Sequence, residues 1–365
     1  MDIPLNDLSL HHAKIKSELN EAIENVIEKC QFIRGPEVDQ FEKSFSKLIG
    51  TNFCVSCGNG TDAIYIALRT LGVKPGDEVI VPACSWIATS ETVTQSGAKV
   101  VFCDVGDDFL IDPLKIEEKI TSRTVGIIPV HLYGQMADMA KINEIKERHG
   151  LWIIEDCAQA HLATYSKKTA GTFGEFATFS FYPGKNLGAM GDAGALVCDD
   201  PELALAAAKF ARHGGIVKGT HEIEGINSRL DGIQAAILNV KVKYIKRWTE
   251  ERQEIASRYI EGLSELSHIT LPHVHQGRTP VWHLFVIRSD ERDRLAKHLK
   301  NNGISTTINY PVSLPFLPAY DYMDHTEADF PKAFEIQSKI LSLPIFPEMT
   351  VEQVDFVIQT INDFR

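Results

Sequence analysis

Hydrophobic residues recur along the chain in two spacings, one typical of amphipathic helices and one typical of buried strands. The helical spacing comes first, in residues 10–30 and again in residues 37–49. These stretches predict two amphipathic helices, separated by the break at Gly35-Pro36. Their apolar stripes are formed by Ile15, Leu19, Ile23, Val26 and Ile27 in the first, and by Val38, Phe41, Phe45 and Leu48 in the second.

Beyond residue 50 the pattern changes to short continuous apolar runs, many of them followed by a helical stripe. Continuous runs indicate strands that are covered on both faces, as in a parallel sheet. Strands and helices in alternation predict a wound α/β layer structure, with a mostly parallel mixed sheet flanked by helices. The predicted strands are residues 54–57, 77–82, 99–104, 125–131, 151–156 and 176–181, and helices are expected at 113–120, 139–149 and 201–212.

The last third of the chain has a different hydrophobic pattern. Residues 231–263 predict one long helix whose charged face is solvated, and residues 268–365 predict a smaller α/β domain. A chain of 365 residues is long enough for about two domains. We expect a large domain over residues 1–230, and the long helix with a small domain over residues 231–365. The small domain should hold strands near 269–271, 281–287 and 304–308, and helices near 291–301, 331–340 and 351–364.

Composition and charge narrow the range of partners. The formal net charge of −12 argues against a nucleic-acid or anionic-membrane surface, which would need basic stripes. No apolar run approaches the ~20 residues that span a bilayer. The cysteines are scattered through apolar runs and no leader-like segment follows Met1, so a reducing cytoplasm is expected. The Cys54-Val-Ser-Cys57 pair is expected to be core rather than a metal or redox site.

Three local patterns could carry chemistry. Lys185 follows a strand-like run that breaks at Pro183-Gly184; a lone lysine in such a turn is usually a solvated residue. Gly58-Asn-Gly-Thr-Asp62 feeds a helix start, which suits a phosphate, although the segment taken alone favours an ordinary capped turn. Asp156 ends an apolar strand, where wound sheets place their ligands, although a simple Asx turn gives the same pattern.

Taken together, these patterns indicate a function, because five sequence segments resemble those of one family in the same order. The segment Ser180-Phe-Tyr-Pro-Gly-Lys-Asn-Leu-Gly188 resembles the Schiff-base lysine segment of the DegT/DnrJ/EryC1/StrS family of pyridoxal-phosphate-dependent sugar aminotransferases. The resemblance implies the fold type I architecture of the aspartate aminotransferase superfamily. The other blocks are Gly58–Asp62, Pro82–Thr92, Glu155–Ala160 and Asn227–Asp231, and Gly35–Val38 and Pro129–Gly134 also fit.

The resemblance assigns roles to residues of the lysine and aspartate blocks. Lys185 is implied to bind pyridoxal 5′-phosphate (PLP) and to move the proton between substrate and cofactor. Asp156 is implied to pair with the pyridine nitrogen, so that the ring can accept electrons. Gln159 resembles the residue near the ring's phenolic oxygen, and Ser180 resembles a hydroxyl that binds the cofactor phosphate.

Further residues are implied to hold the cofactor. Gly60 and Thr61 resemble the phosphate cradle, and Trp86, which alone would read as core, resembles the aromatic that stacks on the ring. Asn227 matches an asparagine that reaches the cofactor phosphate of the neighbouring subunit. The resemblance therefore implies a homodimer with shared active sites and no metal.

The implied reaction moves an amino group from L-glutamate to a keto-sugar of a nucleoside diphosphate. The lysine segment most resembles members that aminate C3 of a dTDP-3-keto-6-deoxyhexose, in the synthesis of an amino-deoxysugar for a glycoside or for a surface polysaccharide such as O-antigen. Tyr310, Asn309 and Arg229 are the expected substrate residues. The chain has Asn309-Tyr310-Pro311 where many relatives have His-Tyr-Pro, and that histidine lies near the sugar.

Three alternatives stay open at this point. One is amination at C4 of a dTDP- or UDP-4-keto-6-deoxyhexose. A second is sugar dehydration, although the dehydratases that this family includes carry histidine in place of Lys185. The third is a regulator that keeps the fold without the chemistry.

Overall fold

A computed structural model describes residues 1–364 of the chain. Within those residues the strands and helices follow one another largely in the predicted alternation. The strands are β1 (Phe53–Cys57), β2 (Glu78–Pro82), β3 (Lys99–Cys103), β4 (Thr124–Ile127), β5 (Trp152–Asp156), β6 (Thr164–Tyr165), β7 (Lys168–Thr169), β8 (Phe176–Ser180), β9 (Gly194–Cys198), β10 (Arg278–Thr279), β11 (Phe285–Arg288) and β12 (Ile340–Leu343).

The helices fill the connections between these strands and form the two ends of the chain. The α-helices are α1 (Leu8–Lys29), α2 (Pro36–Ile49), α3 (Gly60–Thr70), α4 (Ala88–Gln95), α5 (Pro113–Ile116), α6 (Met139–His149), α7 (Pro201–Phe210), α8 (Gly232–Lys241), α9 (Ile245–Leu263), α10 (Arg292–Asn301), α11 (Pro331–Gln337) and α12 (Val351–Asn362). Short 3₁₀ helices occur at Glu117–Lys119, Leu132–Gly134, Leu314–Phe316, Pro318–Met323 and Glu327–Asp329.

A seven-stranded mixed sheet forms the centre of the molecule, in the order β1-β9-β8-β5-β4-β2-β3. The pairs from β3 across to β8 are parallel, whereas β9 runs antiparallel to both β8 and β1. Every residue of β2 and of β9 is buried, as expected for strands covered by helices on both faces. The predicted fold class, α/β with a mostly parallel mixed sheet, is confirmed.

Local cap chemistry sets several helix boundaries. The side chain of Asp7 accepts hydrogen bonds from two amides of the first turn of α1, and that of Asn59 accepts one from the Asp62 amide at 2.8 Å at the start of α3. Helix α2 ends at Gly50, whose φ of 95° is easy only for glycine. These capping residues lie next to the apolar stripes, which explains why most helix ends were predictable.

The expected single helix over residues 231–263 was wrong. The chain forms α8 and α9, with a break over residues 242–244. Helix α8 and the first turn of α9, with Ala235 and Ile245, lie in the main core, whereas Ile255 lies further along α9 in a second core. The break holds neither glycine nor proline, so the sequence carries no local signal for it.

The charged face of this stretch is not fully solvated either. Lys241, at the end of α8, is 1% exposed. Its Nζ donates to the Gly188 carbonyl at 2.6 Å and lies 2.9 Å from His12 Nε2. The lysine therefore joins α8 to the loop that follows Lys185 and to α1.

The C-terminal part packs around the second core, which also takes in Ile3 from the N-terminus. The sequence prediction missed strand β12, because it extended a helix to residue 340. In the structure that helix ends at Gln337, and β12 pairs antiparallel with β11. The predicted strands near 269–271 and 304–308 form only isolated bridges in the described chain. The proposed division between residues 230 and 231 stays a prediction.

Two expectations from composition can be compared directly with the structure. All the cysteines are free, and Cys57 is buried at the end of β1. Among residues 1–364 there is no helix with both the length and the hydrophobicity needed to cross a bilayer.

Glu155, next to Asp156 on β5, holds a neighbouring loop by its buried carboxylate. Its Oε1 accepts from the amides of Phe173 at 2.7 Å and Gly174 at 3.1 Å, and its Oε2 accepts from the amide of Gly171 at 3.0 Å. His131 Nε2 lies 3.0 Å from the same Oε2. The carboxylate is saturated by these partners, so we interpret this cluster as structural.

We predict that Glu155→Leu destabilises the fold by about 3–5 kcal/mol, because it leaves buried amides without an acceptor. Urea unfolding measures the shift. The exposed Glu147→Leu on α6 is the matched control, with little effect expected. Equal unfolding midpoints for the two variants would contradict this role of Glu155.

Candidate active site

The register between β5 and β8 places the candidate site. Asp156, the last residue of β5, is paired with Thr178 of β8, and the Cys157 amide donates to the Thr178 carbonyl at 2.9 Å. Ser180 ends β8 two residues later, and Lys185 follows on the turn to β9. Asp156, Ser180 and Lys185 therefore meet at the carboxyl ends of the parallel strands, where ligands bind in such sheets.

The carboxylate of Asp156 is buried and fixed in orientation from two sides. Its Oδ2 accepts from Thr89 Oγ1 at 2.9 Å, and its Oδ1 accepts from the Ala158 amide at 3.1 Å. Thr89 is held in turn by Ser85, with 2.8 Å between the hydroxyl oxygens. The sequence prediction missed Thr89, which lies on α4 and is 67 positions away in the chain.

The turn that carries Lys185 is tightly folded. The Lys185 amide donates to the Tyr182 carbonyl at 2.8 Å. A Cβ atom on Gly188 would lie 2.3 Å from the Pro183 carbonyl oxygen, so the turn needs glycine there. Helix α8 holds the far side of the turn through Lys241, as described above, and through Gln234, whose Oε1 accepts from the Met190 amide at 2.9 Å.

The electrostatic environment of Lys185 favours its neutral amine. Burial lowers the pKa of Lys185 to about 8, while the negative charge of Asp156 acts in the opposite direction. The side chain makes no hydrogen bond within residues 1–364. The amine is therefore unpaired, and much more of it is deprotonated near neutral pH than for an exposed lysine.

The start of α3 lies directly against the end of β8. A Cβ atom on Gly60 would lie 2.7 Å from Ser180 Cβ, so only glycine allows this approach. The first amides of a helix have no acceptor within the helix. The amides at Gly60 and Thr61 and the Ser180 hydroxyl thus converge at the positive end of a helix dipole, an arrangement that binds anions.

Aromatic and amide side chains form the opposite wall. Trp86 is 58% exposed and its ring centroid lies 5.3 Å from that of Tyr310. Gln159 donates from Nε2 to the Tyr310 hydroxyl at 3.1 Å, and its Oε1 accepts from the Tyr133 amide at 2.6 Å. Burial, and then the charge of Asp156, raise the pKa of Tyr310 to about 12, so this phenol stays protonated.

One cavity of about 860 Å³ joins these elements. It brings together eight residues that the sequence had singled out: Gly60, Thr61, Trp86, Asp156, Gln159, Ser180, Lys185 and Tyr310.

Three other predicted residues lie outside the cavity wall in the described chain. Asn227 is exposed and its backbone pairs with Arg212, and Arg229 is partly buried nearby. Asn309 accepts from Ser342 Oγ at 2.9 Å through Oδ1, which occupies its side chain.

Several residues at the site had no role assigned from the sequence. Thr89 and Asn186 lie inside the family-like blocks and Thr178 lies in a predicted strand, but the side chains of the whole set converge only through the tertiary fold. The missed residues are Asn6, Thr178, Arg252 and His283, which line the cavity, and Thr89 and Asn186, which lie behind it.

Comparisons with known proteins identify one family over nearly the whole chain. The DegT/DnrJ/EryC1/StrS aminotransferase family matches residues 13–362. The chain is 42% identical to the "pleiotropic regulatory protein" of Geobacillus stearothermophilus, over 100% of this chain and 99% of that protein. It is 41% identical to the dTDP-3-amino-3,4,6-trideoxy-α-D-glucose transaminase of Streptomyces venezuelae, over 99% and 96%.

A further relative and a solved structure are similar to the chain over nearly its full length. The dTDP-3-amino-3,6-dideoxy-α-D-galactopyranose transaminase of Aneurinibacillus thermoaerophilus is 42% identical, over 99% of each protein. The crystal structure of S. venezuelae DesV in complex with a ketimine intermediate superposes with a TM-score of 0.97 at 41% identity, over 99% of this chain and 98% of that chain.

The environment of Lys185 gives a testable titration. In cofactor-free protein we expect the Lys185 amine to titrate near pH 8. Asp156→Asn should lower this midpoint further, because it removes the charge that favours the protonated amine. NMR of ¹³C-labelled lysine side chains measures both, with Lys185→Met to assign the signal. A midpoint near that of an exposed lysine, about 10.4, or no shift in the Asn variant, would contradict this account.

Proposed function

The chain belongs to the DegT/DnrJ/EryC1/StrS aminotransferase family, and we propose that it transfers an amino group from L-glutamate to C3 of a dTDP-linked 3-keto-6-deoxyhexose. The family is PLP-dependent, and its solved structures include forms with PLP and with its amino form. The observation that carries the proposal is the meeting of Lys185 and Asp156 in one cavity at the carboxyl ends of β5 and β8.

The residues present fit PLP. The Gly60 backbone could not lie against Ser180 if any side chain replaced glycine, and this close approach forms an anion cradle suited to the phosphate. Asp156 offers a buried carboxylate for the pyridine nitrogen. Trp86 offers an exposed ring face for the pyridine ring.

When bound, PLP supplies a sink for the electrons released as a substrate carbon–hydrogen bond breaks. Lys185 is the residue that takes this proton and returns it, and its lowered pKa of about 8 makes the amine a competent base near neutral pH. Asp156, fixed by Thr89 and Ala158, would bind the pyridine nitrogen. Gln159 has one remaining N–H that could reach the ring oxygen.

The relatives support the nature of the acceptor. Two of them are named as transaminases for dTDP-linked 3-amino sugars, which favours amination at C3 over C4. The choice of L-glutamate rests on the family resemblance, whereas the proposed cytoplasmic location rests on the scattered cysteines. A regulatory role is the second candidate, because one relative is named as a pleiotropic regulatory protein.

We further propose that the enzyme works as a homodimer with shared sites. Tyr182 and Trp86 at the cavity mouth are more than half exposed, although large aromatic side chains are usually buried. Ile216, Val217 and Ile223 near Asn227 are also exposed. A second copy covering this surface would bury these side chains and would bring Asn227 to the partner's site.

The proposed reaction predicts a difference between two substrates. Purified protein supplied with PLP and L-glutamate should aminate a dTDP-3-keto-6-deoxyhexose and leave the corresponding dTDP-4-keto sugar largely unreacted, as measured by chromatography of the sugar nucleotides. Lys185→Arg should lose turnover, because a guanidinium neither binds the aldehyde nor serves as a base at neutral pH.

The outcomes separate the candidates. Preference for the 4-keto sugar would replace the C3 proposal by the C4 alternative. Inactivity on both, with PLP bound, would favour the regulatory role. Full turnover in Lys185→Arg would show that another residue is the base.

The proposed homodimer predicts complementation between two variants. Lys185→Ala and a disruptive Asn227→Asp variant should each be weak as homodimers, because every site then carries one lesion. In a mixed dimer both lesions fall in one site and the other site is intact, so exchange should restore up to about half of the wild-type sites per heterodimer. No recovery, with subunit exchange confirmed by native mass spectrometry, would remove Asn227 from the partner's site.

A further inference from the structure

His283 is a cavity residue to which the reaction outlined above gives no role. It lies between Trp282 and Leu284, just before β11, and its side chain lines the same cavity as Lys185. Nothing in the cofactor site as described requires an imidazole there. Its hydrogen bonds and its surroundings nevertheless define which chemical group it can bind.

The tautomer of His283 follows from its neighbour Asn186. Asn186 Nδ2 donates to the Val281 carbonyl at 3.0 Å, so its Oδ1 is the acceptor that faces His283. His283 Nδ1 lies 3.1 Å from this Oδ1 and must therefore carry the proton. In a neutral imidazole the other nitrogen, Nε2, is then a lone-pair acceptor.

Burial is the main reason that the ring stays neutral. Burial, and then the charges of Lys185 and Arg252, hold the pKa of His283 well below its usual range. Nε2 makes no hydrogen bond to any of residues 1–364. The cavity wall thus contains a neutral acceptor that lacks a donor.

The ring is also held rigidly with respect to Lys185. Asn186 is 6% exposed and directly follows Lys185 in the chain. Trp282 has a φ of 48°, a conformation that a bulky residue keeps only when its surroundings fix it. Arg252 Nη1 donates to the Trp282 carbonyl at 3.1 Å and to the Ile345 carbonyl at 2.9 Å, which anchors this backbone.

From these observations we propose that His283 Nε2 accepts a hydrogen bond from a hydroxyl group of the keto-sugar and so positions the sugar beside Lys185. The inference rests on the proposed function and specifies how the acceptor substrate is recognised. A lone pair favours a hydroxyl donor over a carboxylate, since a carboxylate offers only acceptors. Apart from its reacting amino group, L-glutamate carries only carboxylates near neutral pH, whereas the sugar carries hydroxyls. His283 should therefore bind the sugar and not L-glutamate.

Two variants separate this role from a structural one. In His283→Asn the amide lies near the position of Nδ1, so the bond to Asn186 is kept and the Nε2 acceptor is lost. In His283→Gln the longer side chain returns an acceptor near Nε2 and loses the bond to Asn186. Each half-reaction is followed separately, by the cofactor spectrum, with L-glutamate or with dTDP-3-keto-6-deoxyhexose as the sole substrate.

We expect His283→Asn to lower kcat/KM for the keto-sugar about tenfold, the effect of one lost hydrogen bond, and to leave the L-glutamate half-reaction unchanged. His283→Gln should recover part of the loss. Equal losses in both half-reactions, or a wild-type rate in His283→Asn with a slow His283→Gln, would overturn the proposal in favour of a structural role.

A binding measurement keeps this test independent of the proposed reaction. Calorimetry with dTDP-glucose, which carries hydroxyls but no ketone, should show weaker binding to His283→Asn than to the wild type or to His283→Gln. If wild type binds dTDP-glucose but aminates neither keto-sugar, the proposed function fails while this comparison still decides the role of His283. Equal dissociation constants for wild type and His283→Asn would overturn the inference alone.

Discussion

The site depends on one structural constraint, the register in which β8 pairs with β5 on one side and with β9 on the other. Parallel pairing sets Asp156 opposite Thr178, and antiparallel pairing sets Ser180 opposite Gly194. A slip of one residue would turn each side chain to the other face of the sheet. It would separate Asp156, Ser180 and the Lys185 turn, so the fold and the chemistry are fixed by the same hydrogen bonds.

Burial beside this register determines the protonation state of Lys185. The Lys185 amine is desolvated and unpaired, so its pKa falls to about 8, and the Asp156 charge keeps it from falling further. Helix α8 maintains this arrangement, because Lys241 bonds the Gly188 carbonyl beyond the lysine turn. A second core places α9 and the His283 segment on the other side of the cavity. Both cores therefore contribute to one site.

The sequence predicted the parts of the molecule that depend on neighbours in the chain. Continuous apolar runs located the main strands, and caps such as Asn59 marked helix starts. Lys185 and Asp156 were chosen because their segments resemble those of the family, since the turn and the strand end alone also fit a solvated lysine and an Asx turn. Thr89 and His283 were not chosen, since their partners are tens of residues away. The break after Lys241 was missed because the helical pattern continues across residues 242–244 without a glycine or proline.

The central claim is that the β8–β9 turn presents Lys185, and no other lysine, to the cofactor. Borohydride reduction of the PLP-loaded protein fixes the cofactor to the amine that holds it, and peptide mass mapping identifies that residue. The account predicts one phosphopyridoxyl group per chain, on the peptide that contains Lys185. A modified peptide that carries a different lysine, or a label spread over several lysines, would contradict it.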